Sequence, residues 1–326
     1  MSKVFGVTVG DASGIGPEVL LKAFRENRIQ HPIVAYGDLG ALEFYNKLLG
    51  YAVPLRGARN AGDLEGGSLN VIDHGIVGEC DVKAGKLDAT AGRAAREYVI
   101  AAAKAALAGE IAAMVTLPMN KEATQLTDPK FVGHTELIGA VCMVDDVTIM
   151  LVSDDLIVTH VTTHCSLADA IARTKQPRIK TILKLTSDAV QKLIPNPRIA
   201  VAGLNPHAGE NGLFGREEIE EIAPSVEWAK AQGMPVDGPF PPDTLFYLAV
   251  RRKRYDAIVC MYHDQGHVPL KLLDFEGGVN VALGLPIIRT SVDHGTAFDI
   301  AGKGVAGAGS FEKALNLAAR MAGQAS

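Results

Sequence analysis

Short apolar runs alternate with stretches of helical spacing along most of the chain, the pattern of an α/β protein built on a mostly parallel sheet. The first run, Val4 to Val9, breaks on Gly10-Asp11-Ala12-Ser13-Gly14-Ile15-Gly16. Pro17-Glu18 then opens a helix over Val19 to Arg25, with proline at the first helical position. Ile33 to Gly37 and Ala41 to Leu49 repeat the strand and the helix, and turns with short strands fill 55–82. Thr90 to Ala108 carries small and apolar residues at helical spacing, and Ala112 to Thr116 predicts a strand ending on Leu117 to Glu122. A helix follows at Leu137 to Met143. Strands at Leu156 to Thr163, Ile199 to Leu204 and Ala257 to Met261 are separated by helical segments at 166–194, 216–232 and 245–254. Pro177 and Pro224 interrupt the first two of these segments. A glycine turn, Gly277-Gly278, leads to a strand at Val279 to Leu283, and Phe311 to Met321 closes the chain as a helix.

Several of these strands stop on residues that can do chemistry. In open α/β sheets ligands gather outside the carboxyl ends of the strands. The run at 156–163 ends on His164, that at 199–204 on Asn205-Pro206-His207, and that at 257–261 on Tyr262-His263-Asp264-Gln265-Gly266-His267. If the three strands lie in one parallel sheet, His164, His207 and His263 emerge on one edge. Three neutral imidazoles suit Zn²⁺ or another divalent transition metal and leave positions open for substrate. Taken singly, His31, His74 and His160 read as core or surface residues. Asp264 and Asp243 are candidate supporting or base carboxylates.

Composition removes other classes. A net charge of -5 leaves no basic footprint for nucleic acid, and no apolar run is long enough to span a bilayer. The start of the chain is too quickly polar for a signal peptide, which predicts a cytoplasmic protein. Cys80, Cys142, Cys165 and Cys260 lack CxxC spacing and read as reduced thiols.

Lys271 and Arg289 are candidates for anion recognition, the latter able to grip a carboxylate or phosphate in bidentate fashion, and Asn280 is able to hydrogen-bond a hydroxyl or carboxylate; taken singly, each also reads as an ordinary surface residue. His134 and Thr135 open a helix and suit a phosphate or carboxylate, or else are an N-capping threonine with a bystander histidine. Lys121 meets an anion or is a solvated lysine at a helix start. Glycines 10, 14 and 16 reverse the order of a dinucleotide fingerprint, so their loop is either a backbone approach to a ligand or a tight turn.

Eight blocks, GDASGIGPE at 10–18, PMNKEA at 118–123, GHTE at 133–136, TTH at 162–164, NPHAGE at 205–210, PPDT at 241–244, YHDQGH at 262–267 and GLPIIRTSVDHGTAFDIAG at 284–302, resemble the 4-hydroxythreonine-4-phosphate dehydrogenase family in order and nearly end to end. The resemblance implies a two-domain isocitrate/isopropylmalate-dehydrogenase-like fold with a cleft between domains. The expected first domain is 1–132 plus 303–326, and the second is 133–302. It also implies a homodimer whose active sites are shared between subunits, a divalent metal (Zn, with Mg, Co or Mn as alternatives) on His164, His207 and His263, and substrate contacts from His134, Thr135, Lys271, Asn280 and Arg289. The implied reaction is NAD-dependent oxidation of a secondary alcohol followed by decarboxylation, with Asp243 or His134 as base. His294, Gly295, Thr296 and Asp299 resemble an adenine-ribose loop, and an acid at 299 would repel a 2′-phosphate, favouring NAD over NADP. The first substrate expectation is 4-hydroxy-L-threonine 4-phosphate, giving 3-amino-2-oxopropyl phosphate for pyridoxal phosphate biosynthesis. The first block has Ala12-Ser13 where the family usually has Pro-Ala, and NGLFG at 211–215 with HVPLKLL at 267–273 looks more like a sister branch acting on 4-phospho-D-threonate or 4-phospho-D-erythronate and yielding dihydroxyacetone phosphate and CO₂. A three-histidine metallohydrolase that ignores NAD, and a metal- or anion-binding protein without turnover, are the remaining alternatives.

Overall fold

The protein is described from a computed structural model over residues 3–274 and 277–324. It divides into two compact units, Met1–Val147 with Leu285–Ser326, and Thr148–Gly284. In chain order the first unit contributes β1 (Phe5–Thr8), α1 (Gly16–Arg25), β2 (Ile33–Gly37), α2 (Leu39–Leu49), β3 (Leu55–Gly57), β4 (Leu69–Asp73), α3 (Ala89–Leu107), β5 (Ala113–Thr116), α4 (Lys121–Gln125) and α5 (His134–Cys142). The second unit follows with β6 (Thr148–Val152), β7 (Ile157–His160), α6 (Leu167–Arg173), α7 (Gln176–Gln191), β8 (Ile199–Ala202), α8 (Ala223–Ala231), β9 (Val236–Phe240), α9 (Pro242–Val250), β10 (Ala257–Cys260), α10 (His263–Leu273) and β11 (Val279–Leu283). The chain then returns to the first unit with β12 (Arg289–Val292) and α11 (Gly309–Met321).

In the first unit the strands run β3-β4-β2-β1-β5-β12, all parallel. Strands β1, β2, β5 and β12 are buried along their whole length, as expected when helices cover both faces of a parallel sheet. Helix α3 packs on β1, β2 and β5, and α11 on β5 and β12. The start of α3 is fixed by Asp88, whose carboxylate accepts from the backbone N–H groups of Thr90 and Ala91 at 2.9 and 3.0 Å. No helix among the described residues is long and apolar enough to cross a membrane.

In the second unit the order is β11-β6-β7-β10-β8-β9. Strands β7, β10, β8 and β9 are parallel neighbours, so the three strands expected to share a sheet do share one. Strand β6 runs antiparallel to both β7 and β11 and is an element that hydropathy did not single out. Leu151, Val158, Ala200, Ile258, Cys260 and Leu270 form part of one buried cluster that seats α10 against the sheet.

The units divide at 147/148 and 284/285, whereas the blocks suggested 132/133 and 302/303. The reason is packing: α5 lies on α3, and β12 pairs with β5. His134, Thr135, Arg289 and the 294–299 loop therefore belong to the first unit.

Candidate active site

Three parallel neighbours of the second unit end close to histidines. Strand β7 ends on His160, four residues before His164. Strand β10 ends three residues before His263, and β8 five before His207. His164 and His263 meet, with ring centroids 5.7 Å apart. They line a cavity of about 510 Å³ together with Thr163, Cys165, Tyr262 and Asp264. Helix α10 begins directly at His263, and Asp264 in its first turn lies with Oδ1 2.7 Å from His263 Nδ1. That contact places the hydrogen of His263 on Nδ1 and leaves Nε2 as the lone-pair nitrogen, the usual support for a metal-binding imidazole. The donors present are thus the right kind for a divalent ion. Among the described residues, however, no three His, Cys, Asp or Glu side chains form a metal-binding group within the chain.

His207 is exposed on a separate turn, its ring 6.2 Å from that of Phe214. Residues 207–211 all take positive φ, between 43° and 81°. Only Gly209 adopts that region without cost, so this left-handed turn is strained and must be held from outside. Buried Glu218 holds it: Oε1 accepts from the N–H of Leu204 and of Asn205, each at 2.7 Å, and Oε2 accepts from Asn205 Nδ2 at 2.9 Å. Sequence reasoning missed Glu218, because nothing local distinguishes it within the run Glu217-Glu218-Ile219-Glu220-Glu221.

Two further histidines, neither of them given a site role from the sequence, stand beside His263. His160 is fully buried at the end of β7, and His267 stands one turn beyond His263 with its ring stacked on it. The spacing of His263 and His267 in YHDQGH becomes legible once α10 is known to be a helix. One face of that helix carries His263, His267 and Lys271 at intervals of four. Asn280 is half-buried on β11, and Asp243 is exposed in the first turn of α9, where its Oδ1 accepts from the N–H of Thr244 at 2.9 Å.

The first unit holds a different kind of site. Helix α5 starts at His134 with Gly133 as its cap and no side chain capping it. Its first N–H groups therefore face a region that favours negative charge. His134 Nε2 is sealed from solvent and has no hydrogen-bond partner among the described residues. Burial, reinforced by the Arg289 charge, pulls the imidazole pKa down to about 3. Arg289, only 3 % exposed, donates from Nε and Nη2 to Thr116 Oγ1 at 3.2 and 2.7 Å. Burial lowers its pKa to about 10, an effect partly offset by Glu136, and it stays charged at neutral pH. A buried cation, an unsatisfied imidazole nitrogen and an uncapped helix start together suit an anionic group. Thr135 is half-buried in the same first turn.

The glycine loop at 10–16 is packed by its own protein. A Cβ at Gly16 would stand 2.1 Å from Val9 O, and one at Gly10 2.3 Å from Pro118 O. These contacts account for the glycines as a tight turn. The 294–299 loop lies against it: Ile15 N–H donates to Thr296 O at 3.0 Å, while Gly295 faces open space and Asp299 is exposed.

Comparison with known proteins follows this architecture. The family model described as pyridoxal phosphate biosynthetic protein PdxA matches residues 28–318. The D-threonate 4-phosphate dehydrogenase of Cupriavidus necator is 45% identical over 98% of this chain and 97% of its own. The 4-hydroxythreonine-4-phosphate dehydrogenase of Desulforapulum autotrophicum is 43% identical over 98% and 95%. A crystal structure of 4-hydroxythreonine-4-phosphate dehydrogenase from Klebsiella pneumoniae, 42% identical, superposes with a TM-score of 0.89 over 98% of this chain and 100% of that one. A β-decarboxylating dehydrogenase from Thermococcus kodakarensis, at 13% identity and a TM-score of 0.53, shares the fold. Matched across most of its length, and similar from end to end to enzymes named as dehydrogenases, the chain belongs to the PdxA family.

Proposed function

We propose that this protein oxidises the secondary alcohol of a phosphorylated four-carbon hydroxy acid with NAD, with loss of CO₂ from the β-keto acid formed, and that its preferred substrate is 4-phospho-D-threonate. The carrying observation is the buried anion cradle of Arg289, His134 and the start of α5. A guanidinium kept from water binds a phosphate or carboxylate far more strongly than an exposed one. The name of the Cupriavidus relative, together with the 211–215 and 267–273 segments, supports the threonate over 4-hydroxy-L-threonine 4-phosphate, which is the second candidate.

His164 and His263 are assigned to a divalent ion, with zinc first and Mg, Co or Mn as alternatives. When bound, such an ion supplies a Lewis acid that lowers the pKa of the substrate alcohol and stabilises negative charge during decarboxylation. A third donor is needed, and His207 of a second copy of the chain is proposed for it. Two features support that. The strained turn presents His207 outward, and large apolar side chains stand exposed nearby and on two other elements of the unit: Leu213 (72%), Phe214 (48%), Leu167 on α6 (59%), and Val268 (59%) and Leu272 (86%) on α10. Exposed apolar side chains in such number favour an interface, here a homodimer.

Within the chain, burial keeps the His134 imidazole neutral, with its pKa pulled down to about 3. It serves as a neutral hydrogen-bonding group for substrate beside Thr135, and Asp243 is the proposed base. Lys271 and Asn280 are assigned a cation and an amide contact with the substrate. NAD, when bound, accepts the hydride. The 294–299 loop is assigned to its adenine-ribose portion, with His294, Gly295 and Thr296 shaping the backbone and Asp299 accepting from the ribose hydroxyls. All four cysteines are free, which supports a reducing cytoplasmic setting.

NADH formation at 340 nm, measured with both substrates and with and without chelator, tests this assignment. The expected result is chelator-sensitive turnover with NAD, higher kcat/KM for 4-phospho-D-threonate, and little with NADP. Metal-dependent hydrolysis that ignores NAD would refute it in favour of a metallohydrolase, and absence of turnover in favour of a binding protein.

A further inference from the structure

We propose that His267 is a positioning residue that fixes the His263 ring by face-to-face stacking, with buried His160 as its backstop. The inference rests on the assignment of His263 to the metal. The two rings lie with centroids 3.5 Å apart and planes within 11° of each other, closer than any other ring pair in the cluster. His267 is itself held. Its Nδ1 lies 3.0 Å from the backbone oxygen of His263, and because a carbonyl only accepts, Nδ1 carries the hydrogen. The same Nδ1 lies 3.2 Å from His160 Nε2, which therefore presents its lone pair. His160, with no exposed surface at the end of β7, cannot move away, and its ring stands 4.6 Å from that of His267.

The approach of α10 to His160 depends on Gly266. A Cβ there would come within 2.5 Å of His160 Nε2 and 2.9 Å of Cys260 Sγ. The glycine thus lets the helix sit low enough for one imidazole to brace the next. His263 is clamped twice, at its edge by Asp264 and across its face by His267. A ring already confined to one orientation loses little rotational freedom when it takes a ligand, so the brace raises affinity without touching the ion.

The test is metal binding by the full-length protein stripped with chelator, with Zn²⁺ followed by calorimetry and Co²⁺ by its visible absorption. Wild type and His263→Ala serve as references. His267→Ala is expected to weaken binding about 10- to 100-fold and alter the Co²⁺ bands, while the melting temperature of the metal-free protein stays near wild type. His267→Phe, which restores a flat face without the Nδ1 hydrogen bond, is expected to recover most of the affinity. Wild-type affinity in His267→Ala, with binding lost in His263→Ala, would overturn the brace and leave the metal assignment standing. Rescue by His267→Asn but not by His267→Phe would overturn stacking as the cause. Equal binding by wild type and His263→Ala would overturn the metal assignment and the brace together.

Discussion

Replacing Asp11 by asparagine should stabilise the protein, and by more as the pH rises. Asp11 is fully buried; its Oδ1 accepts from the N–H of Ser13 at 2.8 Å, while Oδ2 is sealed without a partner among the described residues. Burial pushes its pKa from 3.8 up to about 6. With a folded pKa above the unfolded one, the folded state binds the proton more tightly, so stability is greatest below about pH 4 and falls as pH rises through 6. At pH 8 the full difference of roughly two units corresponds to about 3 kcal/mol, and at pH 5 to about half of that. Asparagine keeps the oxygen that faces Ser13 and removes the ionisation, but adds an unsatisfied N–H costing about 1 kcal/mol. That cost is independent of pH. The advantage of Asp11→Asn over wild type should therefore grow by about 1.4 kcal/mol, a factor of ten in the unfolding constant, between pH 5 and pH 8. Urea denaturation at the two pH values, with unchanged slopes, measures it. An advantage that is the same at both values would refute the assignment of a buried, proton-retaining carboxyl.

Arg289→Lys should raise KM for a phosphorylated substrate by about 30-fold or more, since it removes the planar donors from a buried anion contact; initial rates of NADH formation report this. Glu218→Ala leaves two backbone N–H groups unsatisfied and removes one of the two carboxylates that hold the Asn205 amide, and should cost about 2–4 kcal/mol, with new protease cleavage within 207–211 as its local signature. Gly16→Ala forces a methyl to within 2.1 Å of Val9 O, and should cost about 3 kcal/mol or abolish soluble expression, read by thermal unfolding. Asp299→Ala should raise KM for NAD more than KM for substrate in steady-state kinetics, and should narrow the preference for NAD over NADP.

Much of the fold was legible because parallel strands are buried on both faces and read as plain apolar runs, and their carboxyl ends announce themselves by a change to polar residues. The pairing of β7, β10 and β8 and the meeting of His164 with His263 followed from that logic. Where long-range pairing decides the outcome, the same logic fails. Strand β6, TIMLV, is a short apolar run between Asp145-Asp146 and Ser153-Asp154-Asp155, and nothing within it gives its direction, which is set by β11 and β7. Helix α10 was obscured by Pro269, which ordinarily breaks a helix interior; burial of Leu270 and contact with β7 and β10 hold it together. The five-residue left-handed turn at 207–211 carries asparagine and glycine, which signal a turn, but its handedness depends on Glu218, which lies outside the motif.

The first unit is assembled from two lengths of chain separated by the whole of the second, and this orders its synthesis. Strand β12 and helix α11 leave the ribosome after every other strand and helix of the two units, so until then β5 offers an unpaired row of backbone groups with only β1 at its other side. A nascent chain stalled before residue 289 should therefore be a client for chaperones, and truncation of the last forty residues should yield aggregate, because the edge that β12 seals is a template for any passing strand.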